Sequence, residues 1–157
     1  MDGARIDLRL AEILERAHND GIRRLTVRGI LETDGRILML QRAEHHSIKD
    51  MLELPGGRKW DRESIGAALC REFNEETGLE ITEIGDLVLS TDHTSRNGEP
   101  TRHLGFSVMA ELKEVIRLSP KEHKGYLWVS HAEVPGLPIA PRSLAIVNAF
   151  MELRRAA

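Results

Sequence analysis

Between residues 63 and 76 the chain places Glu63, Arg71, Glu72, Glu75 and Glu76, shortly after a Pro55-Gly56-Gly57 turn signal. On a helix, Glu72 and Glu76 stand one above the other, and Glu75 flanks them. Their sector borders an apolar stripe of Ile65, Leu69 and Phe73. The carboxylates are therefore expected at the edge of a core rather than opposite it. Like charges at this spacing repel unless something compensates. A hard divalent cation does so, because Mg²⁺ takes carboxylate oxygens, waters and substrate phosphates. Arg71, four before Glu75, can orient a carboxylate with its forked donors. The glycines permit tight backbone geometry and can turn carbonyls toward the same ion. Such a site neutralises a pyrophosphate, polarises a phosphorus–oxygen bond and activates water. The same residues also suit a solvated acidic helix face with Arg71 in a surface pair, and the glutamates alone leave both readings open.

The elements that must position these groups follow from periodicity. Residues 6–19 carry Ile6, Leu10, Ile13, Leu14 and Ala17 on one stripe, and Asp20-Gly21 ends that helix. It is read as an appended element, residues 1–22, ahead of a domain over residues 23–157. Residues 25–32 and 36–42 are apolar runs around an Asp34-Gly35 turn, the pattern of a β-hairpin. A short strand is expected at 51–54, and Pro55-Gly56 then breaks the regular pattern. Residues 64–77 read as a helix stopped by Gly78. Strands follow at 87–91 and 103–112 around an Asn97-Gly98 turn, and another at 125–130 with Trp128 as a core position. Pro135, Pro138 and Pro141 mark a loop before a helix over 142–154, with Leu144, Ile146, Val147, Phe150 and Leu153 as its apolar positions. The order is helix, strands, helix, strands, helix. Hairpins dominate the connections, so the expected class is α/β with a mixed sheet packed between helices.

The wider spacing goes further than the three glutamates. From Gly57 it runs five residues to Glu63, seven more to Arg71-Glu72, then Phe73, Asn74, Glu75-Glu76, Thr77, Gly78 and Leu79. This resembles the Nudix hydrolase signature, Gly-x5-Glu-x7-Arg-Glu-U-x-Glu-Glu-x-Gly-U, with U a bulky apolar residue. Every fixed polar or glycine position matches. Phe73 stands where an aliphatic residue is commoner, and it is still bulky and apolar. Seven fixed positions at roughly 6% usage each coincide by chance on the order of once in 10⁸ to 10⁹ starts.

The resemblance implies a Nudix-type α/β/α sandwich with an additional N-terminal helix. It implies Glu72, Glu75 and Glu76 as ligands of Mg²⁺ or Mn²⁺, joined by the carbonyl of Gly56. It implies Arg71 as the residue that orients a metal-site glutamate, and Glu63 as a supporting carboxylate. The family hydrolyses a nucleoside diphosphate linked to another group by attack of water on phosphorus. The base in such enzymes is a motif glutamate or a glutamate on a later loop. Here Glu122, ahead of an apolar strand, leads, and Glu76 stands close behind. Arg42, Arg58, Lys59 and Arg96 are candidate phosphate contacts, and Trp60 can stack on a base or cover the loop.

Marks downstream of the signature bear on the substrate. Members acting on ADP-ribose carry a proline about sixteen residues on, where this chain has Thr94 and Ser95. The tyrosine of many dinucleoside-polyphosphate hydrolases has no counterpart nearby, the single tyrosine being Tyr126. The extended leader of the coenzyme-A subfamily is not recognisable before the glycines. These absences point to a MutT-like pyrophosphohydrolase of nucleoside triphosphates. The alternatives are a nucleotide-sugar or ADP-ribose hydrolase and a non-catalytic nucleotide-binding module, which the complete glutamate set argues against.

Composition narrows the setting. The chain has 157 residues, 41% hydrophobic and 30% charged, which suits one globular domain. A formal charge of −3 and no basic, aromatic-interleaved tract argue against nucleic acid as partner. A small nucleotide is the expected partner, and a homodimer is an assembly the resemblance allows. Cys70 is the single cysteine, so no intrachain disulfide forms, and a structural thiol rather than a nucleophile is expected. The N-terminal residues carry no apolar signal segment and no run is long enough for a bilayer. The expected setting is cytoplasmic, without membrane association. The seven histidines, including adjacent His45 and His46, have no zinc spacing. Ser130-His131 lacks a nucleophile elbow.

Overall fold

A computed structural model of the protein describes residues 2–43 and 50–157, with side chains from residue 8 onward. The His45-His46 pair and the side chain of Ile6 lie outside the described residues. Helix α1 (Asp2–Asn19) leads into strand β1 (Arg24–Thr33), β2 (Arg36–Arg42), β3 (Leu52–Glu53) and β4 (Gly56–Arg58). Helix α2 (Ile65–Thr77) follows, then β5 (Glu80–Thr94), β6 (Pro100–Glu111), β7 (His123–Ser130), a 3₁₀ turn (His131–Gly136) and α3 (Pro141–Ala156). None of the described helices is long and apolar enough to cross a membrane.

The Asp34-Gly35 turn has positive φ at both residues, 52° and 75°, as a two-residue hairpin turn requires. The hairpin it closes is short. β1 and β2 pair only at Glu32–Ile37 and Thr33–Arg36 before the strands diverge. β1 then runs parallel to β6 and antiparallel to β4, while β2 pairs with β3 and β7. Among the described residues this gives one mixed seven-stranded sheet. The divergence of β1 from β2 brings β4 and β3 to the same region of the sheet, where Gly56 lies opposite Arg28 and Glu53 opposite Leu40.

Alternation along β1 sends Leu25, Val27 and Leu31 to one face and Ile30 to the other. The first face packs on α1 and α2 through Leu10, Ala17, Leu69 and Phe73. The second packs on α3 through Ile146, Val147 and Phe150. The result is an α/β/α sandwich. Helix α1 shares the α2 core, with Leu10 and Ala17 buried, Ile13 and Leu14 packed on them, and Arg9 donating to the Gly85 carbonyl at 2.6 Å. Burying side chains such as Phe73, Leu69 and Val27 contributes about 1.5–3 kcal/mol each, which makes α2 a rigid base for what it carries.

Several elements differ from the sequence reading. Gly56–Arg58, read as the end of regular structure, pairs with β1 as a strand, because the edge of β1 supplies the partner that its composition does not advertise. β5 begins at Glu80, well before residue 87, and bulges at Ile81/Glu83, Ile84/Leu87 and Leu87/Leu89 break the alternation that would have revealed it. The proline-marked loop contains the 3₁₀ turn. Trp128 is half-buried beside the first core rather than within it. Leu153 is exposed on α3, one turn past the contacts of Phe150 and Met151.

Candidate active site

Helix α2 starts at Ser64, whose hydroxyl accepts from the Ala67 N–H at 3.1 Å, and stops at Gly78 in a left-handed cap. These ends fix which face is buried: Ile65, Ala68, Leu69, Phe73, Glu76 and Thr77. Glu76 is therefore on the core stripe itself, 4% exposed, further inside than the edge position expected of it. The Glu72 side chain is 14% exposed and that of Glu75 is 53% exposed. One helix thus grades three carboxylates from interior to solvent.

The strand before the helix meets these carboxylates closely. The Gly56 N–H donates to Glu76 Oε2 at 3.2 Å. At Gly56, φ is 153° and an added Cβ would stand 2.0 Å from the Val27 carbonyl oxygen. At Gly57 an added Cβ would lie 2.6 Å from Glu72 Cδ. Both glycines are required, the first by backbone, the second by the space Glu72 fills.

Arg71 is the hub of the outer part of the site. Its Nε and Nη2 form a fork on Glu63 at 2.7 and 3.0 Å. Nη1 reaches Glu72 at 2.9 Å and Glu75 at 3.5 Å, and Nη2 also donates to the Arg58 carbonyl at 3.0 Å. The hydrogen bonds from Arg71 hold the Glu63 carboxyl below the ordinary carboxylate range. Trp60 lies over the guanidinium, 3.6 Å from ring centroid to Cζ, and donates its backbone N–H to Glu63 Oε1 at 3.0 Å.

Glu122 comes from a separate segment, just ahead of β7, with its carbonyl accepting from the Ala43 N–H at 2.9 Å. Ligand atoms of Glu76, Glu122 and His123 lie within 4.8 Å of one another. Glu122 is exposed, while His123 is buried. His123 Nε2 meets Glu53 Oε1 at 2.8 Å, and its buried Nδ1 has no hydrogen-bond partner among the described residues. Glu53 also receives Arg42 Nε at 2.9 Å, and Arg28 Nη2 stands 3.9 Å away. Arg28 further donates to the Leu54 carbonyl at 2.7 Å. On the same face of β1, Thr26 shares a hydrogen bond with His103, which meets His93 at 2.8 Å.

Two glutamates in this site are buried with opposite outcomes. Burial alone would raise the Glu53 carboxyl, but the His123 hydrogen bond and the charges of Arg28 and Arg42 bring it to about 2. Burial raises Glu76 to about 9, because the Gly56 N–H and the Arg28 charge do not offset desolvation and Glu122 and Glu72 oppose ionisation. Burial likewise raises Glu72 against the pull of Arg71. A divalent cation fits this donor set: carboxylate oxygens converge, and the deepest carboxylate has no full protein countercharge.

The sequence-derived cationic positions separate. Arg42 is engaged with Glu53 rather than free for a phosphate. Lys59 Nζ donates to the carbonyls of Trp60 and Glu63 at 2.8 and 2.9 Å and so closes the loop. The Arg58 side chain is exposed, and with Lys59 it lines a cleft against α1. Arg96 is exposed on the β5–β6 turn, in the part of the sheet where β6 begins beside Arg24 rather than Arg28. Sequence reasoning missed Arg28, Glu53 and His123. The alternation Leu25-Thr26-Val27-Arg28, with each polar residue following a buried apolar one, was the signal available for Arg28. Glu53 stood between two leucines, inside an expected strand. His123 was the residue after a candidate already chosen.

Comparison with known proteins places this geometry in context. A model of the NUDIX domain matches residues 22–150. The chain is similar to the CTP pyrophosphohydrolase of Escherichia coli K12, 34% identical over 130 residues that cover 83% of this chain and 93% of the relative. It is also similar to the putative 8-oxo-dGTP diphosphatase 2 of Mycobacterium tuberculosis H37Rv, 29% identical over 124 residues covering 76% and 82%. The solution structure of the E. coli ORF135 protein superposes with a TM-score of 0.74 at 30% identity, covering 88% of this chain and 95% of that one.

Proposed function

The chain belongs to the Nudix family and is a hydrolase of phosphoric anhydride bonds, and from that premise we propose that it is a divalent-metal-dependent pyrophosphohydrolase converting a nucleoside triphosphate to the monophosphate and pyrophosphate. The observation that carries the reading is the convergence of Glu76 and Glu122 from separate elements on one point, with Glu76 buried and short of countercharge. Relatives whose names specify triphosphate chemistry support the choice of substrate class over a nucleotide sugar or ADP-ribose.

In this mechanism Glu72, Glu75, Glu76 and the Gly56 carbonyl would hold Mg²⁺ or Mn²⁺. There it would supply positive charge against the pyrophosphate and make an attacking water more acidic. Glu122, the more exposed carboxylate, takes the proton from the attacking water. The new bond joins that water oxygen to phosphorus as the bond to the pyrophosphate oxygen breaks, so the leaving group departs with the electron pair. Arg71 keeps Glu72 turned inward through Nη1 and is itself fixed by its fork on Glu63. Arg28 stands beside the buried carboxylates as a fixed positive charge.

A panel of triphosphates, oxidised triphosphates, nucleotide sugars, ADP-ribose and dinucleoside polyphosphates, with products identified by mass, tests the proposal. Monophosphate and pyrophosphate from a triphosphate, lost in excess chelator, is the expected result. Full turnover in chelator overturns the metal mechanism. Turnover restricted to ADP-ribose or a nucleotide sugar overturns the substrate class.

A further inference from the structure

The position of Trp60 ties it to Arg71. Its indole covers one face of the Arg71 guanidinium at 3.6 Å, while the guanidinium edge is filled by Glu63, Glu72, Glu75 and the Arg58 carbonyl. The same residue donates its backbone N–H to Glu63, the carboxylate on which Arg71 forks. Lys59 binds the Trp60 and Glu63 carbonyls together, and Arg62 holds a positive φ of 67°, so the loop that presents the ring is pinned. Trp60 as a whole is 57% exposed, yet the Arg71 side chain beneath its ring is only 15% exposed. Removing the indole would open one face of that guanidinium to water, and hydration there competes with the in-plane bonds that aim Glu72 and Glu75.

We propose that Trp60 is a positioning residue for the metal-binding carboxylates, acting through Arg71 by a cation–π contact. The inference rests on the metal-site reading given above. It lies in the variable part of the signature, between Gly57 and Glu63, where the motif fixes no residue type.

The test compares wild-type, Trp60→Phe, Trp60→Leu and Trp60→Ala proteins over a Mg²⁺ titration with saturating triphosphate. The half-saturating Mg²⁺ concentration is expected to rise about two- to five-fold in the Leu and Ala variants, the factor an exposed cation–π contact carries. Phe keeps a π face and restores most of the wild-type value, whereas Leu keeps bulk without it. The nucleotide KM at saturating Mg²⁺ stays unchanged. A rise in KM with an unchanged Mg²⁺ midpoint assigns Trp60 to the base and overturns the proposal, as does a Leu variant equal to Phe. A second readout needs no turnover. In a Trp128→Phe protein, Trp60 fluorescence followed with MgCl₂ alone should change saturably, because an ion on Glu72 and Glu75 alters the partners of the cation beneath the ring. No change overturns the proposal. If the wild-type enzyme is itself indifferent to Mg²⁺, the metal reading fails first, and that outcome is separate from variants that match a Mg²⁺-dependent wild type.

Discussion

Replacing Glu76 by Gln should abolish turnover and, in the metal-free protein, raise stability. The carboxyl belongs to a residue only 4% exposed, and that burial raises it from 4.5 to about 9. A group whose folded pKa lies above its unfolded value is held in its protonated form by folding. Its contribution is complete below about 4.5 and is lost as pH rises toward about 9. At pH 7 the unfolded chain would ionise freely while the folded chain keeps the proton. Two and a half pH units at 1.36 kcal/mol per unit make this about 3 kcal/mol against the native state. Gln accepts the same Gly56 N–H without ionising, so the variant escapes that penalty. For a chain of this length the gain corresponds to a melting temperature higher by roughly 6–12 °C. The assay is thermal unfolding of both proteins in excess chelator from pH 5 to 9. The gap between them should be under about 1 kcal/mol at pH 5 and widen with pH. Saturating Mg²⁺ should then stabilise only the wild type, by about 2.7 kcal/mol at one hundred times its Kd, and so close the gap near pH 7. A Gln variant less stable than wild type in chelator at pH 8, or a gap that does not change with pH, would refute the reasoning.

Three further outcomes follow from the same geometry. Glu122→Gln should lower kcat by about 10²- to 10⁴-fold, the range of a general base, with the melting temperature nearly unchanged because the side chain is exposed; steady-state kinetics beside a melt check this. Gly57→Ala and Gly56→Ala should differ in kind. The first pushes only the flexible end of Glu72 and should weaken Mg²⁺ activation while leaving the fold intact, whereas the second meets the Val27 backbone at 2.0 Å and should lower the urea midpoint sharply. Glu53→Gln should cost about 1.5–3 kcal/mol at pH 7 by removing the negative charge that half-buried Arg28 and Arg42 and buried His123 share. Since the folded Glu53 carboxyl lies at about 2, below its ordinary 4.5, its stabilisation is complete above about pH 4.5 and is lost as pH falls toward 2. Urea midpoints at pH 7 and pH 3 should therefore converge between the two proteins.

Much of the architecture was legible because local chemistry and tertiary context agree. The Ser64 and Gly78 ends of α2, the Asp34-Gly35 turn and the apolar stripes each carry their own signal. What was not legible depended on partners distant in sequence. Gly56–Arg58 becomes a strand only because β1 offers an edge. The long bulged β5 hides its first half from any period-two test. Arg28, Glu53 and His123 form one network, but they come from β1, β3 and β7, which the divergence of the first hairpin brings together. Arg42 looked like a free phosphate ligand because its partner, Glu53, was read only as a strand residue. The graded burial of Glu72, Glu75 and Glu76 was foreshadowed by their border with the stripe. That Glu76 sits on the stripe was decided by how far the sheet and Gly56 reach along the helix.

The contrast between Glu53 and Glu76 is the firmest physical argument for a bound cation. Both are nearly inaccessible, at 8% and 4% exposed, and Arg28 acts on both. Glu53 also has Arg42 and His123, and it ionises more readily than a free glutamate. Glu76 has one backbone N–H and faces Glu122 and Glu72, and it ionises less readily. A core that needed only to be stable would place an apolar residue after Ile65, Leu69 and Phe73, since a buried carboxyl without countercharge costs stability across the neutral range. The fold has the means to balance the charge of a buried glutamate, as Glu53 shows, and does not apply it to Glu76. Carboxylates of one site driven to opposite ends of the pH scale mark a division of labour. Glu53 keeps its charge as part of the scaffold, and in the proposed mechanism Glu76 is the carboxylate whose oxygens would receive an ion from outside.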